Sequence, residues 1–228
     1  MCGRYTLTLA DRAALARQLG VPLDAIPEDA IRPRYNIAPL QRAPIVRLRL
    51  EEREALVARW GLVNSWAKDA KRAARQINAR AETVHEKPSF RSSFRKRRCL
   101  VPADGFYEWQ VRGEGKSPQY IRLRTGGLFA FAGLWSEWDS GQETLRTFTI
   151  ITTTANRELE SIHHRMPVIL LPEQYDGWMD PETSSDPLKN TLRPLGEGLL
   201  DHYEISKTVN SPKNDSEECI QPVHDRRE

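Results

Sequence analysis

The chain of 228 residues has no long apolar run and only three cysteines. No stretch approaches the roughly 20 apolar residues that a helix needs to cross a bilayer, and no apolar segment near Met1 resembles a signal peptide. Cys2, Cys99 and Cys219 are widely spaced and form no C-x-x-C pair, which argues against structural zinc or a redox dithiol. We therefore expect a cytoplasmic protein with reduced thiols and no membrane partner.

The composition is that of an ordinary globular domain. Hydrophobic residues make up 39% of the chain and charged residues 29%. The sequence contains no internal repeat and no low-complexity tract. We expect one domain over residues 1–224, followed by a short disordered tail over residues 225–228.

Positive charge is concentrated in one segment of the chain. Residues 68–98 contain eleven Lys or Arg against three acidic residues, although the whole chain carries a net charge of only +3. A run of this kind is usually a solvated face. The same asymmetry also suits a polyanionic partner such as nucleic acid.

Apolar periodicity predicts many short strands and few helices. Arg4–Thr8 alternates like a strand, Asp11–Leu19 has the apolar spacing of a helix ending at Gly20, and the proline-rich residues 21–44 are predicted to form an ordered loop. Further strands are predicted at Ile45–Leu50, Ala55–Trp60, Arg98–Pro102, Gly105–Arg112, Gln119–Arg124, Leu128–Leu134, Leu145–Thr152, Val168–Leu171 and His202–Ile205, with short helices near residues 68–75, 88–96, 155–160, 173–179 and 187–192. Helices alternate too irregularly with strands for a doubly wound parallel sheet, so an α+β, β-rich fold is expected.

Cys2 is the residue around which a function can be organised. Removal of Met1 would give it a free α-amine and a thiol, which titrate at roughly 8 and 8.5 in model peptides. The amine of such a 1,2-aminothiol condenses with an aldehyde to an imine, and the thiol then closes on the same carbon to form a thiazolidine. This chemistry predicts an aldehyde substrate, although a Met-Cys start alone also fits an unremarkable small residue.

Glu108 is the first candidate partner for this nucleophile. It lies in the predicted strand Gly105–Arg112 beside Tyr107 and Trp109. A carboxylate among aromatic side chains has its pKa raised by desolvation and can exchange protons near neutral pH. An acid on the exposed side of the strand is the alternative.

His163 and His164 form the second candidate group, just before an apolar strand. Adjacent side chains of an extended segment face opposite ways, so we expect at most one of the two to share a site with Cys2. A metal-binding pair is disfavoured for the same reason. A polar turn without chemical function is the alternative.

Asn78 and Arg80 form the third candidate group, inside the basic segment. Two residues apart in an extended chain, they project to one side and offer an amide and a guanidinium fork to one ligand, such as a phosphate or a sugar hydroxyl. Trp60 and Trp66 flank this segment, and a tryptophan beside a basic groove can stack on an unpaired base. Core packing is the commoner role of a lone tryptophan.

Eight short motifs follow one another along the chain: Met1–Tyr5, Arg34–Pro39, Arg59–Leu62, Asn78–Thr83, Arg98–Pro102, Gly105–Trp109, His163–Pro167 and Val209–Asn214. Together they strongly resemble the SRAP family, the SOS-response-associated peptidase proteins that are also called abasic-site processing proteins. The resemblance runs from Met1 to about Val223. Asn64 departs from it, because a proline is expected there, and this puts the loop around Trp66 in question.

The resemblance implies a single β-rich SRAP fold of curved, barrel-like antiparallel sheets with short flanking helices. It further implies a protein that crosslinks itself to abasic sites in single-stranded DNA through Cys2, with Asn78 and Glu108 positioning and activating the sugar and His163 assisting its ring opening. The expected DNA contacts are Arg4, Trp66, Arg80 and Arg165. Self-cleavage that exposes Cys2 and some lyase activity are implied as well.

This chemistry requires no metal and no organic cofactor, and we expect a monomer that associates with the nucleoid if the protein is bacterial. Two other functions remain open from the sequence. One is a cysteine peptidase acting in trans, with Cys2, His163 and Glu108 as nucleophile, base and orienting group. The other is a non-catalytic module that binds nucleic acid through the basic segment.

Overall fold

The structure, a computed structural model, describes residues 2–9, 11–26, 32–70 and 75–223 and is built mainly from β-strands. The strands are β1 Tyr5–Leu7, β2 Arg34–Ile37, β3 Arg42–Arg49, β4 Glu52–Trp60, β5 Asn78–Arg80, β6 Arg98–Ala103, β7 Gly105–Arg112, β8 Gly115–Leu123, β9 Phe129–Asp139, β10 Thr144–Thr154, β11 Arg165–Pro167, β12 Ile169–Leu170 and β13 Leu200–Glu204. The α-helices are α1 Arg12–Leu19, α2 Arg91–Lys96, α3 Arg157–Glu160, α4 Tyr175–Met179 and α5 Ser185–Thr191. Short 3-10 turns lie at Leu23–Ala25, Pro172–Gln174, Lys207–Asn210 and Glu217–Ile220.

Five strands close into a barrel in the order β10-β4-β3-β6-β9, because β9 pairs with β10 again. All of these pairings are antiparallel except that of β4 with β10, in which Phe148 lies opposite Trp60 in parallel register. The second half of β10 extends beyond the barrel and carries β5 on one side and β11 on the other. Closure satisfies the backbone groups of the barrel strands without leaving a free edge.

Aromatic side chains fill the interior of the barrel. Tyr5, Trp60 and Phe148 are fully buried. The ring of Tyr5 meets that of Trp60 edge-to-face with centroids 5.3 Å apart, and the rings of Trp60 and Phe148 are stacked with centroids 6.2 Å apart. Gly133 on β9 allows the close approach of β6, since a Cβ at this position would lie 2.8 Å from the Cys99 sulfur. The apolar strands predicted from the sequence therefore supply one continuous core.

A second, antiparallel sheet has the strand order β13-β8-β7-β1-β2. One face of it packs on the barrel, where the rings of Phe106 on β7 and Phe131 on β9 are 6.0 Å apart. The other face holds a smaller cluster that includes Tyr107, Tyr120 and Val209. The sheet brings the start of the chain, on β1, next to the central strand β7.

These elements confirm the β-rich α+β fold and most of the predicted strands; β7 has the predicted bounds. The predicted helix ending at Gly20 is also confirmed, with Asp11 accepting hydrogen bonds from the Ala13 and Ala14 amides and Gly20 in the left-handed conformation. The prediction of a loop over the whole of residues 21–44 is wrong, because β2 lies within it and pairs with β1.

Two predictions fall on residues outside the described ranges: part of the helix near residues 68–75, and the tail over residues 225–228. The three cysteines are free thiols and all are buried. Among the residues that the structure describes, every helix is too short or too polar to cross a bilayer.

Candidate functional site around Cys2

The backbone that carries Cys2 runs along strand β7. Tyr5 lies opposite Phe106, and the Tyr107 amide donates a hydrogen bond to the Arg4 carbonyl oxygen at 3.1 Å. Continuing this antiparallel register by one residue places Gly3 beside Glu108. The sheet therefore brings the Cys2 backbone to the predicted carboxylate.

Asn78 holds Cys2 from the barrel side. Its Nδ2 donates a hydrogen bond to the Cys2 carbonyl oxygen at 2.8 Å, while its Oδ1 is buried and has no hydrogen-bond partner among the described residues. The Cys2 side chain is itself fully buried. Burial, and then the nearby Glu108 charge, raises the pKa of the Cys2 thiol, so that the thiol is protonated at neutral pH.

Glu108 is only 4% exposed, so it does not lie on the solvent side of its strand. Its backbone pairs with Gln119 of β8 in the middle of the second sheet. Burial raises the pKa of the Glu108 carboxyl to about 6. The direction of this shift and its cause, desolvation, are those expected from the sequence, and proton exchange by Glu108 stays a prediction.

Gln110 ties the histidine segment to the same strand. It lies two residues after Glu108 and therefore on the same face of β7, and its Nε2 donates to the Ser161 carbonyl oxygen at 3.0 Å. The backbone of Arg165 flanks the His163 ring: its amide donates to Nδ1 at 3.0 Å, and its carbonyl oxygen lies 3.1 Å from the same nitrogen. Burial lowers the pKa of His163, so the ring is neutral at neutral pH, and Nε2 is the nitrogen suited to exchange a proton with a ligand.

The prediction that His163 and His164 face opposite ways is wrong. Their rings stack with centroids 4.4 Å apart and planes inclined by 27°. Residues 161–164 form a turn and not a strand, with β11 beginning only at Arg165, so the alternation of an extended chain does not apply. His164 is the exposed member of the pair.

Arg4, a predicted DNA contact, is bonded within the protein. Its Nη1 donates to Asn36 Oδ1 at 2.8 Å and to the Val209 carbonyl oxygen at 2.7 Å, and its Nη2 donates to the Asn210 carbonyl oxygen at 3.1 Å. The guanidinium group thus joins β1 to β2 and to the turn that follows β13. Its hydrogen bonds indicate a structural contribution.

Arg165 is engaged in a similar way. Its two terminal nitrogens form a bidentate ion pair with Glu82, at 2.6 and 3.0 Å, and one of them also donates to the Thr152 carbonyl oxygen. This ion pair joins the histidine segment to the turn after β5. The Arg165 side chain is 11% exposed and that of Glu82 47%.

Arg80 and Trp66 differ from these two arginines in being open to solvent. Arg80 lies at the end of β5, two residues after Asn78, and is exposed. Trp66 is 66% exposed, whereas Trp60 is buried in the core. Asn64, where a proline was expected, is buried, and its carbonyl oxygen accepts a hydrogen bond from the Ala67 amide at 2.9 Å, which closes the turn that presents Trp66.

The assembled site contains a nucleophilic residue, a buried carboxyl group with a pKa near neutrality and a neutral imidazole. Within the described ranges no three His, Cys, Asp or Glu side chains lie close enough together to hold a metal ion. The side chains present are of types that can move protons and attack an electrophilic carbon.

A comparison with known protein families shows to which family this chain belongs. A sequence model of the SOS response associated peptidase family, SRAP, matches residues 1–212. This chain belongs to the SRAP family. Among its relatives, the abasic site processing protein YoqW of Bacillus subtilis is 42% identical over 224 residues, which are 97% of this chain and 99% of that protein.

More distant proteins also match nearly the whole of this chain. The abasic site processing protein HMCES of Gallus gallus is 34% identical, over 98% of this chain and 78% of its own. A crystal structure of a protein from Bacteroides thetaiotaomicron superposes with a TM-score of 0.86 at 30% identity, covering 97% of this chain and 100% of the other. The SRAP fold predicted from the motifs is confirmed.

Sequence reasoning missed the residues that support the site. Gln110, Glu82 and Asn36 each position a neighbour of the candidate chemistry, and none was singled out. Glu82 and Asn36 do lie within the motifs Asn78–Thr83 and Arg34–Pro39 that carry the family resemblance. Their place in those motifs is the one signal that could have found them; Gln110 has no comparable signal.

Proposed function

We propose that this SRAP protein processes abasic sites in single-stranded DNA and captures their aldehyde as a thiazolidine on Cys2. The observation that carries the proposal is the position of Cys2: Asn78 holds its carbonyl oxygen, and the register of β1 on β7 brings its backbone to Glu108. The names of the SRAP relatives, which are abasic site processing proteins, support the choice of lesion.

The first step of the proposed mechanism is removal of Met1. Water hydrolyses the Met1–Cys2 peptide bond, methionine leaves, and the α-amine of Cys2 is released. Self-cleavage and cleavage by an aminopeptidase give the same product. An α-amine in water has a pKa near 8, at which a useful fraction is neutral at physiological pH.

The second step is opening of the abasic sugar, which is mostly a closed hemiacetal. A base must take the proton of the C1 hydroxyl while the ring oxygen gains a proton, and this yields the free aldehyde. We assign the proton exchange to Nε2 of His163, because the Arg165 backbone engages Nδ1 and the ring is neutral at physiological pH.

The third step joins the aldehyde to Cys2. The amine adds to the aldehyde carbon, and Glu108 moves protons between the nitrogen and the oxygen that departs as water, leaving an imine. The thiol sulfur then adds to the imine carbon, and its proton goes to the nitrogen. Burial keeps the thiol protonated, so the thiol itself can supply this proton as its sulfur adds.

DNA binding is proposed to use the solvent-exposed residues near the site. Arg80 lies two residues beyond Asn78 and offers its guanidinium group to a phosphate, and the exposed ring of Trp66 offers a stacking surface to an unpaired base. Arg4 and Arg165 stay predicted DNA contacts. Each would have to exchange an internal hydrogen bond for a phosphate.

The decisive experiment incubates the protein with single-stranded DNA that contains one abasic site and looks for an adduct that survives denaturation. We expect an adduct with the natural chain and none with Cys2→Ala, while non-covalent binding persists because the phosphate contacts do not need the thiol. An undiminished adduct from Cys2→Ala would overturn the thiazolidine. Mass spectrometry of the active protein should show Cys2 as its first residue.

The same experiment separates the two other functions. A peptidase acting in trans would show turnover of peptides and no stable adduct, and a binding module would retain all of its activity in Cys2→Ala. An uncleaved tag before Cys2 is expected to be as inactivating as Cys2→Ala, because the α-amine becomes an amide.

A further inference from the structure

A groove of about 760 Å³ opens at the far end of the sheet that carries Glu108. It lies between the turn joining β7 to β8, the residues that follow β13, and residues 221–223. Its walls include Arg112, Lys116, Ser117, Ile205, Lys207 and Pro222. We call it the β7–β8 groove.

The β7–β8 groove is positively charged. Among the described residues that line it, Arg112, Lys116 and Lys207 are basic and only Glu204 is acidic. Arg112 and Glu204 are 2.9 Å apart, with side chains 59% and 41% exposed, so water weakens this ion pair and a stronger anion can compete for the guanidinium group. Lys116 and Lys207 are exposed. The groove therefore favours an anionic ligand.

One row of side chains leads from the candidate site to this groove. Glu108, Gln110 and Arg112 lie on the same face of β7, and Arg112 Nε donates to Gln110 Oε1 at 2.8 Å. Gln110 in turn holds the histidine segment through Ser161. Arg112 lies four residue steps of roughly 3.3 Å after Glu108, so about 13 Å separates them, a distance that a few nucleotides can cover.

We propose that the β7–β8 groove binds backbone phosphates of the single strand a few nucleotides to one side of the abasic site. This inference rests on the proposed function, since it assigns a second contact region to the same DNA. Phosphates are the anions that such a strand presents at regular spacing, and lysines at the groove bind them without reading sequence.

The test measures non-covalent affinity in a Cys2→Ala background, which prevents adduct formation. The probes are oligonucleotides with a tetrahydrofuran abasic analogue and either five nucleotides on both sides or five on one side and one on the other. Removal of the flank that occupies the groove should weaken binding by the parent. In Lys116→Ala/Lys207→Ala this penalty should disappear, and the slope of log affinity against log salt should flatten by about 1.4, or about 0.7 for each phosphate contact.

Lys189→Ala/Arg193→Ala is the matched control, because it removes the same charge from two exposed residues on and just after α5. We expect this control to keep both the penalty and the slope. Equal slopes for the groove variant and the parent would overturn the proposal, as would equal losses in the groove variant and the control. The loss of affinity on shortening one flank distinguishes a phosphate bound in the groove from a general effect of net charge.

Failure of the groove and failure of the proposed function give different results. If the groove proposal is wrong, Cys2 still forms a heat-stable adduct and the salt slope of the groove variant is unchanged. If the proposed function is wrong, the natural chain forms no adduct with abasic DNA of any flank length.

Discussion

Two buried polar clusters lie on either side of the N-terminal strand, and they differ in how well their atoms are paired. The first is here called the N-terminal clamp and is formed by Arg4, Asn36 and Asp215. Both terminal nitrogens of Arg4, both polar atoms of the Asn36 amide and both carboxylate oxygens of Asp215 have hydrogen-bond partners. Asn36 is fully buried, its Oδ1 accepts from Arg4, and its Nδ2 lies within 3.1 Å of three carbonyl oxygens. Asp215 accepts from the Tyr35 and Asn36 amides at 2.6 and 2.9 Å.

In the second cluster, around Cys2, a buried polar atom has no hydrogen-bond partner among the described residues and two titratable groups have shifted pKa values. Asn78 leaves Oδ1 buried and without a hydrogen-bond partner in the described part of the chain. Burial raises the pKa of Glu108 to about 6 and lowers that of His163. Fully paired buried groups stabilise a fold, whereas groups with shifted pKa values and unmet hydrogen bonds are typical of sites that act on a ligand.

Among the variants that test the difference between the clamp and the cluster around Cys2, Glu108→Gln is expected to have the largest effect, and that effect is on the rate of adduct formation. If Glu108 moves protons during imine formation, the variant should form the adduct about 10²- to 10⁴-fold more slowly. In the natural chain the rate of adduct formation should increase as pH rises through about 6, where the carboxyl ionises. The variant should not show this increase. Single-turnover rates measured between pH 4.5 and 8 test this expectation. A rate increase near pH 6 that persists in the variant would contradict the role of Glu108.

Glu108→Gln should also change the pH dependence of stability. The folded carboxyl has a pKa of about 6 against an ordinary 4.5, so between these values the folded state holds the proton that the unfolded state has lost. Folding stability of the natural chain therefore falls as pH rises from 4.5 to 6, by about 2 kcal/mol. Urea unfolding should show this decrease in the natural chain and not in the variant.

Asn36→Ala should have the next largest effect, and on stability. It removes one hydrogen bond from the Arg4 guanidinium and takes the Asn36 amide away from three carbonyl oxygens in a buried place, so a loss of about 3 kcal/mol in the free energy of unfolding is expected. Asn78→Ala, which removes one hydrogen bond, should cost about 1 kcal/mol. Urea denaturation compares the two, and a greater loss from Asn78→Ala would break the distinction between the clamp and the site.

His163→Ala should slow capture of an abasic site by about 10²-fold, because proton exchange for ring opening is lost. The product should still form, since Cys2 keeps both nucleophiles. A small aldehyde that needs no ring opening should react with this variant almost as fast as with the natural chain. Equal slowing on the two substrates would remove His163 from ring opening.

The smallest effect is expected from His164→Ala. The ring of His164 stacks on that of His163 and so helps to orient it, a contribution of about 0.5 kcal/mol, which corresponds to roughly a twofold lower rate. His164→Phe keeps the stacked ring and should restore the rate. A loss as large as that of His163→Ala, or no rescue by phenylalanine, would show that His164 acts through its own nitrogens.

Short sequence patterns predicted the secondary-structure elements that are fixed by neighbouring residues in the chain. Asp11 and Gly20 bound α1 by capping that can be read directly from the sequence, and the apolar alternation of β7 gave its two ends. β2 was missed because its backbone is fixed by Asp215, about 180 residues away. The predicted orientation of His163 and His164 was wrong because a turn, closed by hydrogen bonds from the Ile162 and His163 amides to the Leu159 carbonyl oxygen, replaced the expected extended chain.

The sequence allowed candidate residues for the chemistry to be chosen, and their roles stay predictions; it did not identify the residues that hold them in place. Cys2 and Glu108 could be selected because an aminothiol and a carboxyl beside aromatic residues have recognisable reactivity. The internal bonds of Arg4 and Arg165 could not, since an arginine has the same side chain whether it meets a phosphate or a distant residue such as Glu82. Which partner it finds depends on the closed fold.

The closed barrel has a consequence for the order of events during synthesis. Cys2 lies near the beginning of this chain, but β7 and the turn with His163 come more than 100 residues later, and the barrel closes only when β10 joins β4. At about 5 to 20 residues per second, ribosomes need roughly 8 to 30 s to travel from Cys2 to His163. An aminopeptidase at the ribosome can meet Met1 throughout this interval, whereas self-cleavage that uses Glu108 or His163 must wait until the interval has ended.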